Sequence, residues 1–399
     1  MTFPEYRFMS VGIDDISFYS SGLYLSLSTL ADHNGEDPDK YRVGLGQERM
    51  GVPAPDEDIV TLAANAARPL INDGNHDRIT TILFATESSI DQSKAAGVYV
   101  QRLLGLGSNC RIVELKQACY SATAAIQMAC GLVARKPGDQ VLVIAADIAR
   151  YGLGTPGEAT QGCGAVAMLV KDSPRLLEVH PETGCYSEDV MDFWRPNYMD
   201  TALVDGKYST IVYLKALRQS WKHYRENAGS VDFGDFSRFC YHLPFTKMGE
   251  KAHRKLAVTN GVSMDAELLE QQIGSGLLYN RQIGNSYSAS LYIGLASLLE
   301  NDKEDLSGKH IGLFSYGSGC VGEFFAMTVC NGYREHSRRE QHLAMLEQRQ
   351  ELDYQTYAEL FGHSCPQDGG EHYFPEMAAG HYRLAGIHDH KRIYSETDG

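Results

Sequence analysis

Residues 118–132, ACYSATAAIQMACGL, decide the fold, because a similar segment returns later in the chain as residues 284–299, GNSYSASLYIGLASLL. Each segment reads as a helix rich in Ala, Ser and Gly, and each is followed by a glycine-rich passage, at residues 157–170 and 315–329. Small side chains let two helices approach each other closely. We therefore predict a duplicated unit whose two central helices pack back to back between two sheets.

Short apolar runs alternate with helical patterns along the chain. The strand-like runs are 80–88, 140–149, 164–170, 236–245, 310–318 and 323–329, and the helical patterns are 58–73, 95–106, 119–135, 210–228, 247–258, 288–301 and 337–360. Apolar strands separated by helices are typical of α/β proteins with covered sheets. We expect the irregular stretch of residues 172–209 to form loops over the ligand site. The His-rich tail after residue 360 predicts a solvated cap, with a metal role as the alternative.

The overall composition is that of a globular protein, with 399 residues of which 43% are hydrophobic and 22% charged. A net charge of −15 argues against broad nucleic-acid binding, which needs a basic face. No apolar run approaches the roughly 20 residues that span a bilayer. The first residues lack the pattern of a secretory signal, so we expect a cytoplasmic protein without a membrane segment.

The nine cysteines are scattered from Cys110 to Cys365 and form neither a C-x-x-C pair nor a zinc-type cluster with histidine. We therefore expect no disulfide framework and no metal site, and most of these thiols should be buried as small hydrophobes.

Cys119 is the first candidate for chemistry. The residues before it read as a strand and those after it as a helix, so its thiol should lie at a helix N-terminus. The helix dipole there would lower the pKa of the thiol, and the backbone N–H groups could hold an oxyanion. The alternative, a buried cysteine that fills a gap as Cys130 does, is equally compatible with the sequence.

Glu87 and His242 each end an apolar run, in FATESSID and FCYHLPF, where ligand sites of α/β sheets form. For a lone glutamate a surface or capping role is the commoner one, and a lone histidine can simply belong to the core. Lys247 and Lys251 share one helical face and could meet phosphates, although exposed lysines are usually only solvated.

Together these segments resemble the 3-hydroxy-3-methylglutaryl-CoA synthase family of the thiolase-like superfamily. The resemblance rests on segments in order over about residues 10–335, among them YRVGLGQERMGV, FATESSIDQSKA, ACYSATAAI, DFWRP, YHLPFTKMGEKA, YNRQIGNSYSASLY and FSYGSGCVGEFF. It implies a thiolase-like α/β fold of duplicated αβαβα layered halves with central buried helices. Residues 1–172 would form the N-terminal half with Glu87 and Cys119, and residues 173–399 the half with His242, Asn285 and Ser318.

The resemblance also implies site residues. Cys119 matches the acylated nucleophile, Glu87 the general acid/base and His242 the histidine that contacts the acetoacetyl group. The implied substrate and CoA contacts are Asn285, Ser318, Ser209, Thr160, Thr155, Tyr151, Asp192, Asp147, Lys247, Lys251, Asp37 and Pro38. The register around Thr155 and Thr160 stays open, because the glycine-rich stretch after Tyr151 departs from the family pattern.

The activity that the resemblance implies joins acetyl-CoA to acetoacetyl-CoA through an acetyl-Cys119 intermediate, in the mevalonate pathway of isoprenoid synthesis. The CoA thioesters are substrates, no cofactor or metal is required, and a homodimer is expected. Three alternatives remain. They are a polyketide β-branching synthase that acts on acetoacetyl bound to an acyl carrier protein, a ketoacyl synthase or thiolase, and a catalytically silent homologue.

Overall fold

A nine-stranded mixed sheet runs through the protein, in the order β11-β12-β13-β8-β1-β7-β6-β4-β5. The structure, a computed structural model, describes residues 10–199, 201–229 and 231–397, so the first nine residues of the predicted N-terminal half lie outside the described residues. The strands, in chain order from β1 to β17, are Val11–Tyr19, Leu23–Ser26, Arg49–Val52, Ile79–Ala85, Arg111–Leu115, Gln140–Ala149, Gly162–Asp172, Leu177–Ser187, Phe193–Trp194, Leu203–Val204, Arg238–Tyr241, His310–Gly317, Val321–Val329, Gln350–Leu352, His372–Tyr373, Tyr382–His388 and Lys391–Glu396.

The helices of the described residues cover both faces of this sheet. In chain order from α1 to α12 they are Leu27–Asn34, Asp39–Arg42, Ile59–Ala67, Ala96–Leu103, Ser121–Arg135, Gly206–Ala228, Thr246–Thr259, Ala266–Ile273, Leu278–Ile283, Ser290–Asn301, Arg339–Glu347 and Tyr354–Gly362. None of the helices described combines the length and the apolar character that crossing a bilayer requires.

Alternation along the strands explains the layers, because successive side chains of a strand point to opposite faces. On β4, Leu83 and Ala85 belong to the core around the central helices, whereas Ile82 and Phe84 belong to the core under α3 and α4. In the second half, Ile311 and Leu313 of β12 face the central helices, while the neighbouring Phe314 packs toward α6 and α7.

The helices α5 and α10 occupy the centre of the molecule. Their small and apolar residues share one core with β4, β6 and β7 on one side and with β12 and β13 on the other. Thr123 of α5 and Tyr292 of α10 meet through their hydroxyl groups at 2.9 Å. The predicted α/β class with central buried helices is therefore confirmed.

The two predicted sheets form one sheet instead. Strand β1 pairs with β7 along its length and meets β8 only at Gly12 and Ile13. A side chain at Gly12 would collide with the carbonyl oxygen of Leu177 at 1.9 Å, so glycine is needed where the two halves join. Whether residues 1–172 and 173–399 are separate domains stays a prediction.

Two sequence expectations are wrong in detail. Residues 172–209 are not wholly irregular, because β8 supplies an eleven-residue strand that pairs with β13. The pattern at 337–360 is not one helix but α11 and α12, interrupted by β14, which pairs in parallel with β2. Both strands lack strong apolar runs, so partners distant in the sequence decide them.

The tail after residue 360 folds into the small sheet β15-β16-β17. Buried carboxylates at the start of α3 hold it, through Arg383 on Asp56 at 3.0 Å and Arg392 on Asp58 at 2.9 Å. Two of its histidines pair with acidic residues, His372 with Asp368 and His388 with Glu371. The tail is thus a cap on the fold that is bound by ion pairs.

Candidate active site

The site lies at the carboxyl ends of parallel strands in both halves of the molecule. Strand β4 is parallel to β5 and β6, and Glu87, Cys119 and Asp147 lie at or just beyond the ends of these three strands. In the second half β11 is parallel to β12, and His242 and Ser318 directly follow them. Carboxyl ends of parallel strands share one edge of a sheet, which gathers these residues.

Cys119 stands in a strained turn before α5. Ala118 has a φ of 42°, in the left-handed region that favours glycine, and the helix begins only at Ser121. The turn is packed tightly, because a side chain at Gly317 would lie 2.4 Å from the carbonyl oxygen of Gln117. Tyr120 fixes the turn further by donating to the buried Glu323 at 2.6 Å. Strain held by packing is typical of functional sites.

The thiol of Cys119 donates a hydrogen bond to Oε1 of Glu87 at 2.9 Å. Both residues are half-buried. The pKa of Glu87 is raised to about 8, first by burial and then by the Asp147 carboxylate, and the thiol and Arg195 oppose that rise. A carboxylate with a pKa near neutrality can both take and give a proton.

The predicted lowering of the Cys119 pKa is wrong. Burial, followed by the neighbouring Glu87, raises the pKa of the thiol well above its ordinary value. A helix N-terminus is worth only about 0.3–1 kcal/mol at an exposed position, and it cannot offset burial beside a carboxylate. The thiol is therefore protonated at rest, and a thiolate forms as Glu87 takes up the proton.

Asp147 holds the Glu87 turn in place. Its Oδ1 accepts from the Thr86 hydroxyl at 2.8 Å and from the backbone N–H groups of Glu87 and Ser88, both at 2.9 Å. Its Oδ2 accepts from the Ser288 backbone at 3.0 Å and from the Ser288 hydroxyl. Burial raises the pKa of Asp147, and these hydrogen bonds oppose that rise.

Aromatic side chains form a wall beside the thiol. Tyr151 and Tyr287 are buried together, and Cys119 and Phe193 pack against them. Asn285 is buried as well, and its side-chain oxygen accepts from the Tyr287 backbone at 2.9 Å. Tyr287 has a φ of 42°, so this wall, like the Cys119 turn, contains a strained residue.

His242 is buried and lies outside hydrogen-bond contact with Cys119 and Glu87. Its backbone is fixed to Phe314 at 2.8 Å and to the Tyr213 hydroxyl at 2.9 Å. Its Nδ1 lies 2.9 Å from the hydroxyl of Ser290. Burial lowers the pKa of His242 to about 3, so the ring is neutral at physiological pH.

Asp192 links the predicted contacts Ser209 and Ser318. Its Oδ2 accepts from Ser209 at 3.0 Å and from Tyr316 at 2.7 Å, and its Oδ1 accepts from the Gly319 backbone at 2.9 Å. The carbonyl oxygen of Ser318 accepts from Gln117 at 3.2 Å. Asp192 thereby holds the turn after β12, and Gln117 ties that turn to the Cys119 turn.

The remaining predicted contacts are placed differently. Thr155 and Thr160 bond within their own loop, to the carbonyl oxygens of Gly152 at 2.6 Å and Gly157 at 2.8 Å. Asp37 precedes α2, where its side chain accepts from the Asp39 backbone at 2.9 Å, and Pro38 is the N-cap of that helix.

The lysines lie at the start of α7. Lys247 pairs with Glu250 at 2.7 Å, and the Lys251 ammonium lies 5.3 Å from the centre of the Phe245 ring. The backbone N–H of Lys247 donates to the carbonyl oxygen of Leu45 at 2.9 Å, which joins α7 to the loop after α2. The start of α7 therefore lies beside the loop that follows α2.

A large open cleft of about 1550 Å³ reaches Glu87, Ala118 and Ser318. Phe193 and Arg195 form part of its wall, together with residues of the C-terminal tail. The lysines of α7 and the residues before α2 do not line it. The cleft and the predicted contacts on α7 and before α2 are therefore separate features of the surface.

Three residues of the site were not singled out from the sequence. Arg195 donates from its guanidinium to the carbonyl oxygen of Glu87. Ser288 and Ser290 hold Asp147 and His242 respectively. All three lie inside the quoted segments DFWRP and GNSYSASLY, and the alternating serines of the second segment were the available signal.

Comparison with known proteins agrees with this geometry. The family model described as Hydroxymethylglutaryl-coenzyme A synthase N terminal matches residues 7–174, and the model for the C terminal part matches residues 180–272 and 257–362. The chain is 40% identical over 386 residues to the hydroxymethylglutaryl-CoA synthase of Enterococcus faecalis, covering 97% of this chain and 100% of that protein. It is 34% identical over 377 residues to the polyketide biosynthesis 3-hydroxy-3-methylglutaryl-ACP synthase of Bacillus subtilis, covering 88% of each.

A solved structure supports the same assignment. A crystal structure of an HMG-CoA synthase complexed with CoA superposes with a TM-score of 0.92 at 42% identity, covering 98% of this chain and 100% of that one. This similarity confirms the thiolase-like fold that was predicted. The chain belongs to the hydroxymethylglutaryl-CoA synthase family.

Proposed function

We propose that this chain is a hydroxymethylglutaryl-CoA synthase, an acyltransferase that joins acetyl-CoA, acetoacetyl-CoA and water into HMG-CoA and CoA. The observation that carries the proposal is the 2.9 Å contact between the Cys119 thiol and the Glu87 carboxylate at the edge of the sheet. A nucleophile and a base within hydrogen-bond reach are what covalent catalysis requires. Similarity to the Enterococcus faecalis enzyme supports the same substrates.

The first step transfers acetyl to Cys119. Glu87 accepts the thiol proton as the sulfur attacks the thioester carbon, and the C–S bond to CoA then breaks. The proton passes to the departing CoA sulfur, which restores the carboxylate. The backbone N–H of Cys119 lowers the pKa of the thiol, although burial and Glu87 outweigh it.

The second step forms the carbon–carbon bond. Glu87 removes a proton from the methyl group of acetyl-Cys119, and the resulting carbanion attacks the ketone carbon of acetoacetyl-CoA. His242 donates a hydrogen bond to the ketone oxygen, and the alkoxide that forms there takes up the proton that Glu87 removed from the methyl group. Water then cleaves the enzyme thioester, its hydroxyl joining the acyl carbon and its proton returning to Cys119.

The junction of α2 and α7 is the proposed contact for CoA. Lys247 and Lys251 lie on α7, whose start is bonded to the loop that follows α2, and α2 itself follows Asp37 and Pro38. Ammonium groups suit the phosphates of CoA. Tyr151, Asn285, Ser318, Asp147 and Asp192 shape the acyl end, whereas Thr155, Thr160 and Ser209 contribute through the loops that they stabilise.

The polyketide type of synthase is the alternative. Similarity favours the CoA enzyme, since identity is 40% to the Enterococcus faecalis protein and 34% to the Bacillus subtilis synthase, whose name specifies an acyl carrier protein. Comparing turnover of acetoacetyl-CoA with turnover of acetoacetyl bound to a carrier protein tests this choice. Faster turnover of the carrier-bound substrate would overturn the proposal.

The proposed setting is the mevalonate pathway, in the cytoplasm, with the enzyme acting as a homodimer without a cofactor. Strand β5 supports the dimer, because it is an edge of the large sheet and its Val113 is 40% exposed. An open edge strand is a surface that another chain can cover. Sedimentation equilibrium tests the dimer directly.

Mass spectrometry of the intact protein is the direct test of the chemistry. Mixing with acetyl-CoA should add one acetyl group at Cys119, and subsequent acetoacetyl-CoA should remove it with formation of HMG-CoA. Acetylation at another residue, or release of acetyl without a condensed product, would contradict the proposal.

A further inference from the structure

His242 is a neutral histidine whose role depends on which ring nitrogen carries the hydrogen. The residue follows β11 directly and is only 3% exposed. A neutral imidazole has one N–H donor and one acceptor nitrogen. To polarise a substrate oxygen, the nitrogen that faces the substrate must be the one that carries the hydrogen.

The hydrogen bonds around Ser290 decide this question. The Ser290 hydroxyl accepts from the backbone N–H of Leu243 at 3.2 Å and lies 2.9 Å from Nδ1 of His242. If Nδ1 carried the hydrogen, the hydroxyl would accept twice and its own hydrogen would have no acceptor among the described residues. If the hydroxyl donates to Nδ1, both donors around Ser290 have an acceptor. The Leu243 N–H donates to the Ser290 oxygen, and the Ser290 O–H donates to Nδ1.

The energy difference favours the second arrangement. A buried donor that is left without a partner carries the full cost of its desolvation. Ser290 is fully buried at the start of α10, so water does not compensate for the loss. The hydrogen of His242 is therefore on Nε2. This nitrogen is not among the buried polar atoms that lack a partner, so water or substrate can reach it, which is not true of the Ser290 hydroxyl.

We propose that Ser290 is a positioning residue that fixes His242 in the Nε2–H form, so that a neutral imidazole donates a hydrogen bond to the ketone oxygen of the acetoacetyl thioester. The inference rests on the proposed function and assigns to Ser290 a task in condensation alone. Acetyl transfer to Cys119 uses Glu87 and involves neither Ser290 nor His242. A neutral donor stabilises the developing alkoxide without the buried positive charge of an imidazolium.

Two half-reactions separate this role from a structural one. We expect Ser290→Ala to acetylate Cys119 at the parent rate but to lose about 10- to 100-fold in single-turnover condensation with acetoacetyl-CoA, as when one donor to an oxyanion is weakened. Ser290→Thr keeps a hydroxyl donor and should recover most of the rate. Ser297→Ala is the matched control, because Ser297 is also buried in α10 and its hydroxyl donates to the carbonyl oxygen of Ser275 at 2.6 Å.

A spectrum of the resting enzyme tests the hydrogen position itself. In protein labelled with nitrogen-15 histidine, the His242 signals are assigned by their loss in His242→Asn. The parent should show a protonated Nε2 and an unprotonated Nδ1, and Ser290→Ala should show a mixture of the two forms. This measurement on the parent remains decisive even if the alanine variant fails to fold.

Either of two results would overturn the inference: a protonated Nδ1 in the parent enzyme, or equal losses of condensation in Ser290→Ala and Ser297→Ala. Failure of the proposed function would look different. The parent would then form no acetyl-enzyme and no HMG-CoA, while the nitrogen spectrum would still report the form of His242.

Discussion

The turns before the two central helices have the same geometry and different chemistry. Ala118 has a φ of 42° and α5 begins at Ser121, and Tyr287 has a φ of 42° and α10 begins at Ser290. The residue after each strained position, Cys119 in one half and Ser288 in the other, donates to a carboxylate. The internal echo in the sequence thus extends to the backbone of the site.

The carboxylates explain why only one turn is reactive. The Glu87 side chain accepts from Cys119 and from no other described residue, so it can receive a proton. Asp147 accepts from Thr86, Glu87, Ser88 and twice from Ser288, and these donors hold it as an acceptor. Ser288 is also 1% exposed, whereas Cys119 is half-buried. The same backbone conformation gives a nucleophile only where the neighbouring carboxylate accepts no other hydrogen bond and substrate can reach the attacking atom.

Exchanging the two side chains should have the largest effect. Cys119→Ser should lose acetylation by roughly 10³-fold or more, the order seen when a nucleophile is removed. Adding Ser288→Cys should not restore it, because a thiol at 288 would be buried beside an occupied carboxylate. Intact-mass measurement and peptide mapping after addition of acetyl-CoA give the result. Acetyl found on residue 288 would break the comparison.

Replacing the free base should have the next largest effect. Glu87→Gln cannot take the methyl proton, and condensation should fall by about 10²- to 10⁴-fold. In the parent, the base must be ionised, so the rate should rise with pH through about 8 and then level off. This rise should be absent in the glutamine variant. A parent rate that is independent of pH between about pH 6 and pH 9 would contradict the assignment.

The same residue should make stability depend on pH. The folded pKa of Glu87, about 8, exceeds its ordinary value of 4.5, so the native state retains a proton that the unfolded chain releases. Its contribution is fully present below pH 4.5 and is lost as pH rises through about 8. Urea unfolding of the parent and of Glu87→Gln across this range should show a smaller decline for the variant. Equal declines would mean that other groups cause the dependence.

Replacing the occupied carboxylate should have a smaller and different effect. Asp147→Asn places an amide donor among the donors from residues 86–88 and 288, which should cost about 1–3 kcal/mol in the free energy of unfolding. It also removes a negative charge that raises the pKa of Glu87, so the rise in rate should move to lower pH. Urea denaturation and a pH–rate profile measure both effects. A profile that moved to higher pH would contradict this account.

Relieving the strained turn should have the smallest effect. Ala118→Gly suits the φ of 42° but adds freedom to the unfolded chain, so the free energy of unfolding should change by less than about 1 kcal/mol. Ala125→Gly, in the buried middle of α5, is the control and should cost about 1 kcal/mol or more. A larger loss at residue 118 than at residue 125 would show that the turn is not strained.

The sequence predicted the frame of the site because strand ends leave a local signal. Glu87, Cys119 and His242 each follow an apolar run, and strand ends are where the structure places them. It failed where the environment is made by distant residues. The rise in the Cys119 pKa comes from burial and from Glu87, 32 positions away, and β8 is set by its pairing with β1 and β13. A pattern of neighbouring residues carries no information on such contacts.

The sequence by itself determined the layered α/β class, the duplicated central helices and the family, because periodicity and ordered motifs depend on neighbouring residues. Only the tertiary structure decided that both strained turns face carboxylates, that one carboxylate is free and the other occupied, and that Ser290 contacts His242. The physical reason is that the acidity of a group and the direction of its hydrogen bonds depend on its burial and on its neighbours in space. Only folding of the chain brings those neighbours together.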